Sequence, residues 1–127
     1  MSGYTVVNLL ELPDQIEFSS DIEGRFGRGA LESRDLGVSH WRYSPGYRSS
    51  RGHRHGKQEE VYVVLGGSGR VLLDGEVREL GRWDTVRVAP EVLRAFEAGP
   101  EGLEMLAVGG PRPEEGDGEM GEVQWPE

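Results

Sequence analysis

Hydrophobic and polar positions alternate over short stretches of the chain, and glycine or proline interrupts most of these stretches. Residues 61–65 are apolar on both alternations, which is typical of a strand covered on both faces. Residues 69–80 predict two strands around Asp74-Gly75, because this dipeptide tolerates the positive φ angles of a two-residue hairpin. A sustained 3.6-residue apolar period occurs only in short windows, so the pattern indicates β structure.

The same pattern predicts strands along most of the remaining chain. Residues 16–18 are a short continuation of the strand predicted at 4–12. The polar, glycine-rich stretch 19–36 predicts loop with at most one short element. Seven to nine short strands at regular spacing imply an all-β antiparallel sandwich or barrel. The further predicted strands are 4–12, 37–43, 83–90, 93–102 and 103–110.

The length of 127 residues suits one domain with one core, and we place that domain at 1–110. Residues 111–127 carry six acidic residues against one arginine, and we interpret them as a solvated, partly disordered tail. A less favoured alternative is that Met120, Val123 and Trp125 dock this tail on the barrel or on a second subunit.

Composition excludes several classes of function. The net charge of −9 argues against a nucleic-acid partner, because affinity for phosphates depends on clustered lysine and arginine. No run of 18 apolar residues is present, so we expect no membrane span and a soluble, cytoplasmic protein. With no cysteine, any metal must bind through nitrogen and oxygen ligands.

A histidine pair marks the candidate site. In an extended segment His53 and His55 project to the same side, and Arg54 faces away. Glu59 and Glu60 lie on opposite faces of the next strand, so only one of them can point inward. Two imidazoles and one carboxylate form the ligand set of many manganese, iron, nickel and zinc sites, and they leave coordination positions open.

Residues 52–67 resemble the first sequence motif of the cupins. That motif has His-x-His, three or four residues, a glutamate, six residues and a glycine. The match with Glu60 and Gly67 is preferred over the shorter-spaced match with Glu59 and Gly66, because the longer spacing is usual in metal-binding members. The resemblance implies that His53, His55 and Glu60 are the metal ligands.

This resemblance covers residues 36–108 and carries implications for the whole fold. It implies a double-stranded β-helix, which is a jelly-roll barrel with the metal inside. It also implies a homodimer, since small cupins commonly pair through an edge of the barrel and open sheets leave edge strands to cover.

The second cupin motif is only partly present, in residues 83–98. Arg94 stands where the family has its fourth ligand, a histidine, and a guanidinium has no lone pair to donate to a metal. His40 is an alternative ligand, although a hydrogen-bonded histidine on a strand is the favoured interpretation. The other departures are Trp83 for a glycine, Ala89 for a proline, Glu91 for a glycine and Ala98 for an asparagine.

Two hypotheses about function remain open from the sequence. In the first, a divalent ion of manganese, iron, nickel or zinc is bound, Arg94 holds an anionic substrate, and the protein is an oxygenase or isomerase. In the second, Arg94 pairs with Glu60 or with an anionic ligand, and a metal-free pocket binds a small polar or anionic molecule without catalysis. Tyr62 and Phe96 are candidate pocket residues in both.

Overall fold

Eight antiparallel strands form one strongly curled sheet in the computed structural model, which describes residues 3–113 and 115–126. A 3₁₀ helix, Leu9–Glu11, and a short α-helix, α1 (Arg28–Leu31), are the helical elements of this part of the chain. The predicted all-β jelly-roll barrel is confirmed. The strands are β1 (Ile22–Phe26), β2 (Gly37–Tyr43), β3 (Arg51–His55), β4 (Glu60–Leu73), β5 (Glu76–Leu80), β6 (Thr85–Val88), β7 (Arg94–Gly109) and β8 (Gly118–Glu122).

Strands β4 and β7 are the longest and lie side by side at the centre of the barrel. The sheet order is β1-β2-β7-β3-β8, and β4 pairs with β5, β6 and β7. The sequence predicts two strands at 93–102 and 103–110, whereas β7 runs unbroken through both. The bend is absorbed by register shifts in its pairing with β4 around Gly67, which has φ 70°. A side chain at Gly67 would collide with the carbonyl of Gly102, so this crossing requires glycine.

The hairpin between β4 and β5 confirms the turn predicted at Asp74-Gly75. Asp74 has φ 47° and Gly75 has φ 89°, the two positive values that a tight hairpin of this kind needs. Leu73 pairs directly with Glu76 across the turn. The turn therefore sets the register in which β5 packs on β4.

The hydrophobic core lies inside the barrel and uses alternate residues of the two central strands. Val64 and Val71 of β4 and Leu103 and Met105 of β7 are at most 2% exposed. Because strand side chains alternate between faces, most of their neighbours along the chain are more exposed, although Leu72, next to Val71, is also buried at 2% exposure. Tyr62 and Phe96 belong to this core and also line the cavity that holds the polar residues of the candidate site.

The N-terminal prediction is wrong in two places. Residues 4–12 contain the 3₁₀ helix in place of a strand, and the side chain of Asn8 caps it by accepting a hydrogen bond from the Leu10 amide at 2.9 Å. The apolar residues of segment 4–12 do not join the hydrophobic core, and Val6, for example, is 87% exposed. The stretch 19–36, expected to be mainly loop, contains β1 and α1, and β1 pairs with β2 over five residues.

The acidic C-terminal segment docks on the barrel, which is the alternative that the sequence favoured less. Residues 118–122 form β8 and pair with β3, so the sheet continues beyond the expected domain end at 110. Trp125 donates its indole N–H to the carbonyl of Ser49 at 2.8 Å, and its ring lies 4.8 Å from the guanidinium of Arg48. The contact between Trp125 and the barrel wall is thus both hydrogen-bonded and cation–π in character.

Within the described residues, neither helical segment has the length and apolar character that crossing a bilayer requires.

Trp83, the residue at the expected glycine of the second cupin motif, has a left-handed backbone with φ 72°. We expect Trp83→Gly to raise the free energy of unfolding by about 1 kcal/mol, because it relieves a conformation that costs non-glycine residues about 1–2 kcal/mol. The side chain is 63% exposed, so little buried surface is lost. Urea denaturation measures the change. Arg82→Gly, next to it and outside the positive-φ positions, should instead be destabilising, and an equal loss in both variants would contradict the prediction.

Candidate metal centre

The site is assembled where β3, β4 and β7 begin or end. His53 and His55 lie on β3, Glu60 opens β4, and Arg94 opens β7 directly opposite His53. The close approach of β3 to β7 depends on Gly52, because a side chain there would collide with the main-chain oxygen of Arg94. The backbone thus places both histidines beside the carboxylate of Glu60.

Three potential ligand atoms converge on one point. His53 Nε2 lies 3.1 Å from Glu60 Oε1, and His55 Nε2 lies 3.3 Å from the same oxygen. Two atoms that bind one ion with bonds of about 2.1 Å are separated by about 3.0–3.4 Å in octahedral or tetrahedral geometry. All three ligand atoms lie within 4.8 Å of one another. The donor set therefore fits a divalent transition metal.

The two alternative ligands lie elsewhere. Glu59 points outward with its side chain 58% exposed, and its carboxylate is 3.5 Å from Arg87. His40 is buried and lies 2.6 Å from Glu104 through its Nε2 atom. The outward direction of Glu59 follows from the strand alternation, since Glu60 occupies the inward position.

His55 is oriented by a residue that the sequence analysis missed. Its Nδ1 atom lies 2.9 Å from Asp117 Oδ1, whereas its Nε2 atom is buried and has no hydrogen-bond partner. Asp117 lies in the acidic segment, 62 residues along the chain, where nothing in the local sequence distinguishes it from its acidic neighbours. An unpaired imidazole nitrogen that faces a carboxylate is the arrangement expected of a metal ligand.

Glu60 is ionised and Tyr62 is neutral at pH 7. Burial alone would raise the pKa of Glu60, but the neighbouring His53, His55 and Tyr62 groups outweigh it and hold that pKa well below its usual range. Burial raises the pKa of Tyr62, and the charge of Glu60 raises it further. The Tyr62 hydroxyl therefore remains a donor, and it donates to Glu60 Oε1 at 2.5 Å.

His55 binds a proton more readily than an ordinary histidine. The neighbouring Glu60 raises the pKa of His55, burial opposes this, and Asp117 raises it further. Because imidazole must be neutral to coordinate a metal, a proton and a metal ion compete for His55 Nε2.

Arg94 lies behind Glu60 and is 0% exposed. Its guanidinium donates to the carbonyl of Ala89 at 3.0 Å and to that of His53 at 3.4 Å, and it lies 4.0 Å from Glu60 Oε1. The residue borders the cavity, yet no part of its surface is open to a molecule inside it. The expected contact between Arg94 and a substrate stays a prediction, and the contact that the structure shows is between Arg94 and Glu60.

The charge balance of the site is negative. Arg94 contributes one positive charge. Two unit charges about 5 Å apart interact by about 3 kcal/mol at an effective dielectric constant of about 20. Glu60 and Asp117 contribute two negative charges. The repulsion that Arg94 exerts on a divalent ion is therefore opposed by two attractions, one of which the sequence analysis did not count.

A cavity of about 1350 Å³ extends from the site toward the outside. His53, His55, Glu60 and Tyr62 line one part of it, and aromatic and apolar side chains line much of the remainder. Tyr62 and Phe96 pack against each other with ring centroids 4.9 Å apart, and both are nearly buried, so each offers the cavity only a small surface. The other aromatic residues along the wall are Phe18, Phe26, Trp41, Tyr43 and Tyr47.

A curled antiparallel barrel with two histidines and a glutamate beside an open cavity defines a class of β-barrel proteins with potential metal ligands in the interior. A sequence model described as "Cupin domain" matches residues 39–109, and the chain belongs to the cupin family. The resemblance of residues 52–67 to the first cupin motif is thereby confirmed. Among curated proteins, none matches the sequence significantly.

Solved structures share this fold at low sequence identity. The polyketide cyclase RemF from Streptomyces resistomycificus superposes with a TM-score of 0.75 at 18% identity, over 97% of this chain and 87% of that one. A cupin protein from Bacteroides fragilis gives 0.69 at 23% identity, over 90% and 89%. A salicylate 1,2-dioxygenase from Pseudaminobacter salicylatoxidans gives 0.63 at 15% identity, over 72% of this chain but 27% of that one.

Tyr62→Phe tests the short hydrogen bond to Glu60. We expect the metal-free protein, kept in chelator at pH 7, to lose about 1.5–3 kcal/mol of unfolding free energy, as is usual for a hydrogen bond to a charged group. Because the folded pKa of Glu60 is lowered, the stability that its ionised form provides is present above the unfolded pKa and is lost as the pH falls below it. The difference between variant and wild type should therefore shrink in acid.

Urea denaturation at several pH values measures this difference. Tyr47→Phe is the matched control, because it removes a hydroxyl from the cavity wall away from Glu60. Equal effects of the two substitutions at pH 7 would contradict the prediction.

Proposed function

We propose that this cupin is a metal-dependent enzyme that acts on a small organic molecule, of the oxygenase or isomerase class. His53, His55 and Glu60 would hold a divalent ion of manganese, iron, nickel or zinc. The observation that carries the proposal is the arrangement of His55, whose Nδ1 atom faces Asp117 while its buried Nε2 atom has no hydrogen-bond partner and lies 3.3 Å from Glu60.

Besides binding the metal, residues of this chain would orient a ligand and bind the substrate. A bound divalent ion would supply Lewis acidity toward a substrate oxygen. The Tyr62 hydroxyl, kept neutral, fixes the orientation of Glu60 by donating to it. The aromatic wall would bind the apolar part of a substrate and exclude water from it.

The charges around the cavity support a polar or anionic substrate. Arg51 and Arg112 line the cavity and are exposed, so their guanidinium groups are available to a carboxylate or phenolate. The fold neighbours include a polyketide cyclase and a salicylate dioxygenase. At identities below 25% they support the fold and leave the reaction of this chain as a proposal.

A second candidate function is metal-free binding of a small polar or anionic molecule. The observation that favours it is that other residues of the protein already compensate the negative charge of Glu60. Glu60 Oε1 accepts from Tyr62, lies 3.1 Å from His53 Nε2, and has Arg94 4.0 Å away. In the metal-free protein, a proton on His55 would take the place of the ion between the carboxylates of Glu60 and Asp117.

Metal content separates the two functions. We expect protein purified from medium supplied with manganese, iron, nickel and zinc to contain close to one equivalent of a divalent ion by elemental analysis. His53→Ala and Glu60→Gln should each lower this at least tenfold, because each removes one of three ligands. His40→Gln, which alters a histidine bonded to Glu104 outside the site, should retain the metal. Wild-type protein without metal after this supplementation would contradict the enzyme proposal.

Substitution of Arg94 tests the charge balance. We expect Arg94→Gln to bind zinc about tenfold more tightly than wild type, because it removes a positive charge close to the ion and keeps a hydrogen-bonding side chain. Arg94→Lys keeps the charge and should stay close to wild type. Titration against a chromophoric chelator gives the dissociation constants, and circular dichroism confirms that both variants are folded. An Arg94→Gln variant that binds no more tightly than Arg94→Lys would contradict the expectation.

A further inference from the structure

Asp117 lies outside the matched cupin region 39–109 and yet contacts a candidate metal ligand. We propose that Asp117 is a positioning residue of the metal centre, which holds the proton of His55 on Nδ1 so that the Nε2 lone pair faces Glu60. The docked C-terminal strand would then be a working part of the site. This inference rests on the proposed metal binding and names how the ligand set is prepared for it.

Both oxygens of the Asp117 carboxylate are engaged. Oδ1 lies 2.9 Å from His55 Nδ1, and Oδ2 accepts from the main-chain amides of Lys57 at 2.6 Å and Gln58 at 3.0 Å. The side chain is 9% exposed. An ionised carboxylate is only an acceptor, and of the two ring nitrogens only Nδ1 is hydrogen-bonded, so His55 donates from Nδ1 and the neutral ring carries its lone pair on Nε2, 3.3 Å from Glu60 Oε1.

The position of Asp117 is fixed by the segment that follows it. The main-chain carbonyl of Asp117 accepts from the amide of Gly56 at 3.2 Å, and β8 begins at the next residue. Strand β8 pairs with β3 over five residues, and Trp125 anchors the chain beyond it on the carbonyl of Ser49. Asp117 is therefore set in place by the sheet as well as by His55 itself.

This geometry would couple metal binding to the docking of β8 on the barrel. The ion would pair with the otherwise unpartnered His55 Nε2 atom, and Asp117 would be held more firmly against the opposite nitrogen. Linkage is reciprocal: if docking of β8 raises metal affinity, then metal binding stabilises the docking of β8 by the same factor.

Asp117→Asn is the decisive variant, because asparagine has nearly the same shape. Its carbonyl oxygen can still accept from the amides of Lys57 and Gln58, but its amide group then faces His55 as a donor. His55 Nδ1 must become an acceptor, and the proton moves to Nε2, where it blocks coordination. We expect the dissociation constant for zinc to rise 10- to 100-fold, the usual effect of changing a group that orients a ligand histidine. Glu119→Gln, the same chemical change at an exposed position on β8, should leave the constant unchanged.

Two readouts accompany the zinc titration, which uses a competing chelator. Long-range ¹H–¹⁵N spectra of the metal-free protein, recorded in alkaline buffer, should show the His55 proton on Nδ1 in wild type and on Nε2 in Asp117→Asn. Hydrogen exchange of the β8 amides should slow at least threefold when zinc is added to wild-type protein. If Asp117→Asn does not fold, the wild-type spectra and the exchange measurement decide the question.

The outcomes distinguish this inference from the proposed function. If wild type and Asp117→Asn bind zinc equally, the inference is overturned and the metal site stands. If wild type binds no zinc, the proposed function fails, and the inference fails with it. A His55 proton on Nε2 in wild-type protein, or exchange in β8 that zinc leaves unchanged, would also overturn the inference.

Discussion

The arrangement of the candidate site depends on keeping the carboxylate of Glu60 charged inside the barrel. Removing a carboxylate from water costs several kcal/mol unless donors and positive charge replace its hydration. Tyr62 donates to it directly, His53 lies at hydrogen-bond distance, and Arg94 provides the counter-charge from behind. The directions of these side chains follow from that requirement, so the ligand set is oriented by electrostatics as much as by strand alternation.

Much of the barrel could be predicted from the sequence because its signals are local. The turn at Asp74-Gly75 and the apolar run 61–65 depend on residues adjacent in the chain. The N-terminal error arose because apolar character alone does not create a strand partner, and Val6 and its neighbours have none. The unbroken path of β7 was missed because the predicted strand was ended at Gly102, whose positive φ instead permits a bend within one strand.

At the site, the sequence identified the ligands but not their surroundings. His53, His55 and Glu60 lie within one short segment, so spacing and alternation were sufficient to bring them together. The position of Asp117 beside His55 and the direction of the Arg94 side chain depend on packing between residues far apart in the chain. The guanidinium of Arg94 is held in the protein interior by the carbonyls of Ala89 and His53, which lie 5 and 41 residues away in the chain. Contacts of this kind leave no periodic signal in the sequence.

The position of Asp117 also has a consequence for the order in which the protein matures. During synthesis His55 leaves the ribosome 62 residues before Asp117 does. A nascent barrel complete through β7 would already contain His53, His55 and Glu60, but with the ring of His55 free to turn and to exchange its proton position. On the proposal made for Asp117, such a barrel would bind metal more weakly than the finished protein, and full affinity would be reached only after β8 has been translated and has docked.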